Sequence, residues 1–290
     1  MVSRRNFLKT SGMAAAAVYL MPSFAFAAGD KVVGLQLYSL REDLPKDVKG
    51  VLEKVALAGF KEVETYGFSI KDQFWGLTPV ELKKILDANG LKAVSGHYGL
   101  GSYLTDDNTD ELKAAIAAAK VLGSNYVTIP WLIPTVRKSA DDYKKLALKI
   151  NKAGQMCKDA GIRLAYHNHD FEFEKQGDTT GYEILLKGTD KKLVDFELDL
   201  YWVVRSGKDP VQLFKENPGR FTMWHVKDMD KTKKEWNTEV GQGSINFKSI
   251  FAAAKLSGMK HFFVEHETNY NPNPIESVKK SCTYIKKELI

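Results

Sequence analysis

A single closed (β/α)₈ barrel is the fold this sequence predicts, and three observations carry it. First, a helical segment, a glycine and a short β-rich run recur as one unit, at Ala58-Gly59-Phe60, Asn89-Gly90-Leu91, Leu122-Gly123-Ser124, Ala160-Gly161-Ile162 and Ser257-Gly258-Met259. Glycine just past a helix takes the left-handed conformation that ends the helix and turns the chain back, so five such joints indicate βα units and a parallel sheet. Second, eight strand–helix pairs can be counted. Third, 263 of the 290 residues remain once the first 27 are set aside, an ordinary length for a one-domain barrel. An open doubly wound sheet is the alternative, but no G-x-G-x-x-G or P-loop follows any strand, which removes the usual reason to prefer it.

The chain starts with Ser3-Arg4-Arg5-Asn6-Phe7-Leu8-Lys9, then a mostly apolar stretch interrupted by Ser11, Gly12, Pro22 and Ser23, then Ala25-Phe26-Ala27. Twin arginines, a short apolar stretch and a small-residue cleavage site mark the bacterial export route for folded proteins. Residues 1–27 therefore read as a removed signal peptide and 28–290 as the barrel. The mature protein is expected in the periplasm, with no stable membrane anchor. Strands are expected at 32–38, 61–66, 92–98, 125–130, 162–169, 193–199, 221–227 and 260–266. Helices follow near 45–58, 78–89, 109–122, 139–160, 180–188, 209–217, 246–257 and 274–288. Helix 139–160 is the clearest, with Ser139 as N-cap and Asp141 and Asp142 in its first turn.

Composition narrows the partners. The chain is 27% charged and 44% hydrophobic, ordinary for a globular protein. Arg4, Arg5 and Lys9 leave with the leader, which holds no acid, so the formal charge of +6 falls to +3. That surplus is too small to argue for nucleic acid, and no Lys/Arg block stands out. Cys157 and Cys282 lie far apart in predicted helices and make no disulfide framework. Assembly into a homo-oligomer is left open.

Catalytic residues of such a barrel belong at the C-terminal strand ends, and here those ends are rich in chemistry. Strand five ends in His167-Asn168-His169, with Asp170 and Glu172 beyond; strand six ends in Asp199; strand seven carries His225 and Lys227; strand eight carries Glu265 and Glu267. Alternation along a strand puts Ala165, His167 and His169 on one face, Met223, His225 and Lys227 on another, and Phe263, Glu265 and Glu267 on a third. Turned inward, these faces gather imidazoles and carboxylates at one mouth, a mixed N/O site for Mn²⁺, Co²⁺, Fe²⁺ or Zn²⁺. His97, ending strand three, and Glu64, ending strand two, are candidates for binding substrate hydroxyls; Gln36 and Tyr38 of strand one are weaker ones. Trp131 and Trp202 could stack on a sugar ring. Glu197 shares the face of Asp199 one layer deeper, where an unpaired charge is costly. A lysine beside a cation has reason for a lowered pKa, which suits Lys227 to proton transfer, an ion pair with Glu267 being the plainer role.

Leu198-Asp199-Leu200-Tyr201-Trp202, Trp224-His225-Val226-Lys227-Asp228, Gly241-Gln242-Gly243 and Val264-Glu265 resemble the xylose isomerase-like family of TIM barrels, over essentially the whole mature chain. The family holds sugar isomerases and epimerases, inosose dehydratases, lyases acting on 3-keto sugars and endonuclease-type DNA-repair enzymes. The resemblance implies one divalent metal held by strands five to eight, commonly through Glu, Asp, His and Glu. Asp199, His225 and Glu265 match three of these positions. At the first, His167 stands where a glutamate is common, with His169 or Glu172 as substitutes.

The function so implied is a metal-dependent sugar isomerase or epimerase working through an enediolate, with Mn²⁺ first and Co²⁺, Fe²⁺, Zn²⁺ or Mg²⁺ as alternatives. The ion would polarise a carbonyl and acidify the adjacent C–H, with Glu172, His169, Lys227 and Glu267 as candidate bases. The same first step followed by loss of a β-oxygen makes a 3-keto-glycoside lyase or an inosose-type dehydratase. A sugar-binding barrel without activity is a third reading. Phosphodiester cleavage would need a larger donor set and a basic face, neither of which is apparent.

Overall fold

Every predicted helix–glycine joint turns through a glycine of positive φ: Gly59 (98°), Gly90 (63°), Gly123 (75°), Gly161 (79°) and Gly258 (83°). The computed structural model describes residues 32–290, so the leader lies outside the described residues. Eight parallel strands follow one another round a ring: β1 Gly34–Gln36, β2 Glu62–Thr65, β3 Lys92–Gly96, β4 Tyr126–Ile129, β5 Arg163–His167, β6 Val194–Asp199, β7 Phe221–Val226 and β8 His261–Val264. β1 pairs with both β2 and β8. The β3/β4 edge closes through the His97–Thr128 bridge and the backbone bond from Tyr98 N–H to Thr128 O, 2.9 Å.

The outer helices are α1 Val48–Leu57, α2 Pro79–Ala88, α3 Asp110–Leu122, α4 Ala140–Asp159, α5 Gly181–Gly188, α6 Pro210–Glu216, α7 Phe247–Ala252 and α8 Pro274–Glu288. Their starts follow local chemistry. Thr78 and Glu81 form a reciprocal capping box on α2, and Ser139 Oγ accepts Asp142 N–H at the head of α4. The 246–257 segment expected as one helix breaks at Ala253 into α7 and a short turn.

All eight strands are shorter than expected, and in two of them the difference moves a site residue. β1 stops at Gln36, and a 3-10 turn over Leu37–Leu40 carries Tyr38 to the rim. β5 stops at His167, because the 170–173 segment turns back through a 3-10 turn at Phe171–Phe173. Alternation therefore no longer governs His169. Short helices at Gly101–Asp106 and Leu200–Arg205, and two small hairpins, were not expected from the periodicity.

The main apolar core lies between strands and helices. A second, smaller cluster of Val94, Tyr126, Ala165, Met223 and Phe263 is separate from it. Ala165, Met223 and Phe263 precede His167, His225 and Glu265 by two residues, so they floor the mouth from within. Gly34 is what lets Phe263 in: a Cβ there would stand 2.5 Å from Phe263 Cδ1 and 2.6 Å from the Phe262 carbonyl oxygen. Cys157 and Cys282 are buried free thiols.

Candidate metal centre at the barrel mouth

His167, Asp199, His225 and Glu265 each bring one donor atom into a single buried group, all within 4.8 Å of one another. His167 Nε2 lies 3.5 Å from Asp199 Oδ2, and His225 Nδ1 lies 3.8 Å from Asp199 Oδ2 and 3.1 Å from Glu265 Oε2. The backbone explains the convergence. Asp199 Oδ1 caps the Leu200–Arg205 helix by accepting Trp202 N–H at 2.9 Å, which leaves Oδ2 facing the group. Asn168, buried immediately after β5, accepts Asp199 N–H at 3.1 Å and ties the ends of β5 and β6 together. His167 Nδ1 points to the Pro130 carbonyl at 3.2 Å.

Below this group lies a second polar layer. Glu64 and Glu197 are both fully buried, and the ladder register shifts immediately before each, between Val63 and Glu64 and between Phe196 and Glu197. The extra residue at each shift lies on the neighbouring strand, Val94 of β3 and Thr222 of β7, so β2 and β6 keep their own alternation. Glu64 accepts from Gln36 Nε2 (2.7 Å) and Ser95 Oγ (2.6 Å) and lies 2.7 Å from His225 Nε2. Glu197 Oε2 lies 2.8 Å from His97 Nε2, while its Oε1 is buried with no hydrogen-bond partner. Burial works to raise Glu64, but His97 and His225 bring it down to about 2. Burial and the neighbouring Glu64 raise Glu197 well above the carboxylate range. His97, His167, Glu197 and His225 form a second, overlapping donor group.

Lys227 is almost fully buried, 3.0 Å from Glu265 Oε2, hydrogen-bonded to Glu267 Oε1 and 3.7 Å from Asp199 Oδ2. The ion pair with Glu267 is present. Burial disfavours the ammonium, but Glu265, Glu267 and Asp199 overcome this and raise it well above its ordinary value. Burial would likewise raise Glu265, yet Lys227 and His225 hold it well below the carboxylate range. His225 is raised well above an ordinary imidazole, against burial, by Glu197 and Glu265. His169 falls to about 2, through burial and then through His167 and Lys227.

Above the group opens a cavity of about 490 Å³, lined by Tyr38, Tyr66, His97, Trp131, His169 and Glu267 among others. Trp131 is 42% exposed at its edge. Four expected catalytic or substrate-binding residues do not line the cavity: Trp202 and the buried Lys227, Glu64 and Glu172. Glu64 lies under the metal group, held by Gln36, Ser95 and His225. Glu172 is fully buried away from the cavity, held by the Tyr166 hydroxyl and by His169 N–H at 2.8 Å, and burial raises it to about 7. Trp202 packs behind His169 and over the Lys227 ammonium, 5.5 and 5.4 Å away, and does not line the cavity. Tyr66, Gly67, Gly99 and Pro130 line it without having been singled out from sequence. Tyr66 immediately follows β2, the one signal that could have marked it.

The donor set fits a divalent ion. Two imidazoles and two carboxylates suit Zn²⁺, Mn²⁺, Co²⁺ or Fe²⁺, and His167 Nε2 and Asp199 Oδ2 are buried with no hydrogen-bond partner. Buried polar atoms without partners are rare unless a bound group completes them.

Over residues 52–288 the sequence matches the family described as xylose isomerase-like TIM barrel. The chain belongs to that family. Residues 1–18 match the twin-arginine translocation signal sequence, which indicates export by that route, and no described helix is long and apolar enough to cross a membrane. Relatives in the family are enzymes. The inosose dehydratase of Clostridium botulinum (strain Alaska E43 / Type E3) is 27% identical over 275 residues, 82% of this chain and 88% of its own. That of Lacticaseibacillus casei is 25% identical over 84% of this chain and 92% of its own. A crystal structure of a sugar phosphate isomerase/epimerase from Parabacteroides distasonis ATCC 8503 superposes with a TM-score of 0.79 at 30% identity, covering 91% of this chain and 96% of that one. The IOLI protein, solved with a zinc atom, shares the fold at 15% identity and a TM-score of 0.69, over 88% and 97% of the two chains.

Proposed function

We propose that this family member is a divalent-metal-dependent enzyme that removes a proton beside the carbonyl of a small keto sugar and expels a β-oxygen, a dehydratase or lyase. One observation carries the choice. Outside the four-donor group, Glu267 is the one acid among the described residues lining the cavity, and the lining offers imidazoles, His97 and His169, where a second carboxylate would serve epimerisation. The curated inosose dehydratases support the same reaction class. His167, Asp199, His225 and Glu265 would hold the ion. When bound, it polarises the substrate carbonyl and acidifies the neighbouring C–H.

The chain's own residues supply the rest. Glu267, partly open to the cavity beside Lys227, takes the C–H proton. The Lys227 ammonium faces the oxygen on which negative charge develops and stabilises it without reorganising. His97 and His169 bind hydroxyls across the cavity, and Trp131 covers the apolar face of the ring. The product would form in the periplasm, where a chain exported folded could carry its ion with it.

The test is incubation of the metal-loaded protein with keto-inositols and 3-keto-glycosides in D₂O. Elimination predicts C–H exchange with loss of a β-substituent, and Glu267→Gln should slow exchange by about 10²- to 10⁴-fold. Isomerisation or epimerisation is the competing outcome, favoured by the name of the Parabacteroides structure; deuterium in a product of unchanged composition would establish it. No exchange across the panel would sink both.

A further inference from the structure

We infer that Glu64 is a positioning residue that orients His225, so that Nδ1 faces the ion-binding group while Nε2–H is held by the Glu64 carboxylate. The inference rests on reading His167, Asp199, His225 and Glu265 as the ion-binding set. A histidine whose outer ring nitrogen donates to a carboxylate is locked in tautomer and rotation, and is a stronger ligand for it. Here Nε2 lies 2.7 Å from Glu64 Oε2 and Nδ1 lies 3.1 Å from Glu265 Oε2, both residues being fully or nearly fully buried.

Glu64 is itself fixed from three sides. His97 Nε2 lies 3.2 Å from Oε2, Gln36 Nε2 donates to the oxygen that meets His225, and Ser95 Oγ donates to the other. Ser95 is in turn 2.9 Å from Thr128 Oγ1. The inner faces of β1 to β4 thus build a hydrogen-bonded brace for a ligand on β7, although they contribute no donor to the group. That arrangement accounts for a glutamate in the strand-two position with no access to the cavity.

Reach and charge can be separated. Glu64→Gln keeps the length: its amide oxygen can accept from both Gln36 and His225, and its NH₂ can donate to Ser95, whose hydroxyl turns to Thr128. Glu64→Asp keeps the charge but withdraws the carboxylate by one methylene, out of reach of His225. Each variant and the wild type are titrated with Co²⁺ against a competing chelator, and the visible absorption of the bound Co²⁺ is recorded. A positioning role predicts that Asp weakens Co²⁺ by about 10- to 100-fold and alters the absorption bands, whereas Gln loses less and keeps them. Wild-type affinity and bands in Glu64→Asp would overturn the inference while leaving the ion site standing. So would Gln losing more than Asp, which would assign Glu64 to charge balance. A wild-type protein that binds no Co²⁺ overturns both readings. If Asp does not fold, Ser95→Ala, which frees one Glu64 oxygen, should shift the bands in the same direction; unshifted bands count against the inference.

Discussion

Asn168 Oδ1 accepts the backbone N–H of Asp199 at 3.1 Å, joining the ends of β5 and β6 where both deliver a donor to the metal group. Asn168→Ala leaves that buried N–H unpaired and should cost about 1–3 kcal/mol of stability. It should also loosen ion retention, since Asp199 is no longer held against His167. Urea unfolding with and without bound ion checks this; an equal stability loss with unchanged ion affinity would restrict Asn168 to the fold.

Lys227 and Glu267 should separate binding from turnover. Lys227→Met removes an ammonium that shares the Glu265 and Asp199 oxygens with the ion, so ion affinity should hold or rise while kcat falls by about 10²-fold or more. Glu267→Gln should lower kcat with affinity unchanged. Chelator competition and steady-state kinetics read both. A Lys227→Met protein at wild-type kcat would remove Lys227 from the chemistry.

The strand ends were legible because alternation is rigid within a strand. His225 and Glu265 lie where a period of two puts them, over the Met223 and Phe263 floor. What alternation could not show is set between strands and beyond their ends. Glu197 lies one layer below Asp199, as alternation puts it, but Glu64, expected at the cavity, is drawn beneath it by His225, Gln36 and Ser95. The 3-10 turn at Phe171–Phe173 takes Glu172 behind Tyr166. Lys227 has three carboxylates from β6 and the β8 end around it, Asp199, Glu265 and Glu267, of which only Glu267 could be paired with it from sequence.

Glu172 gives the protein a pH signature. Its carboxyl sits at about 7 in the fold against 4.5 ordinarily, so between those values the folded protein holds a proton that the unfolded chain has released. Stability from this group therefore falls as pH rises from about 4.5 to about 7 and is level above, by an amount on the order of 3 kcal/mol. Glu172→Gln should flatten that part of the profile. Urea midpoints at pH 5 and pH 8 are the check, and parallel profiles for variant and wild type would refute the assignment.

Phe263 plugs the barrel under His225 and Glu265, seated against Gly34. Phe263→Ala should cost about 3–5 kcal/mol and should weaken ion binding through the floor it removes. Thermal unfolding measures the first effect. A loss below 1 kcal/mol would mean the interior refills.

The most direct test of the metal centre is ion stoichiometry. Protein loaded with Mn²⁺, Co²⁺ or Zn²⁺ and dialysed against buffer should retain one ion per chain, and Asp199→Ala and His225→Ala, folded by circular dichroism, should retain none. An ion kept at full stoichiometry by both variants would contradict the donor set on which the account stands.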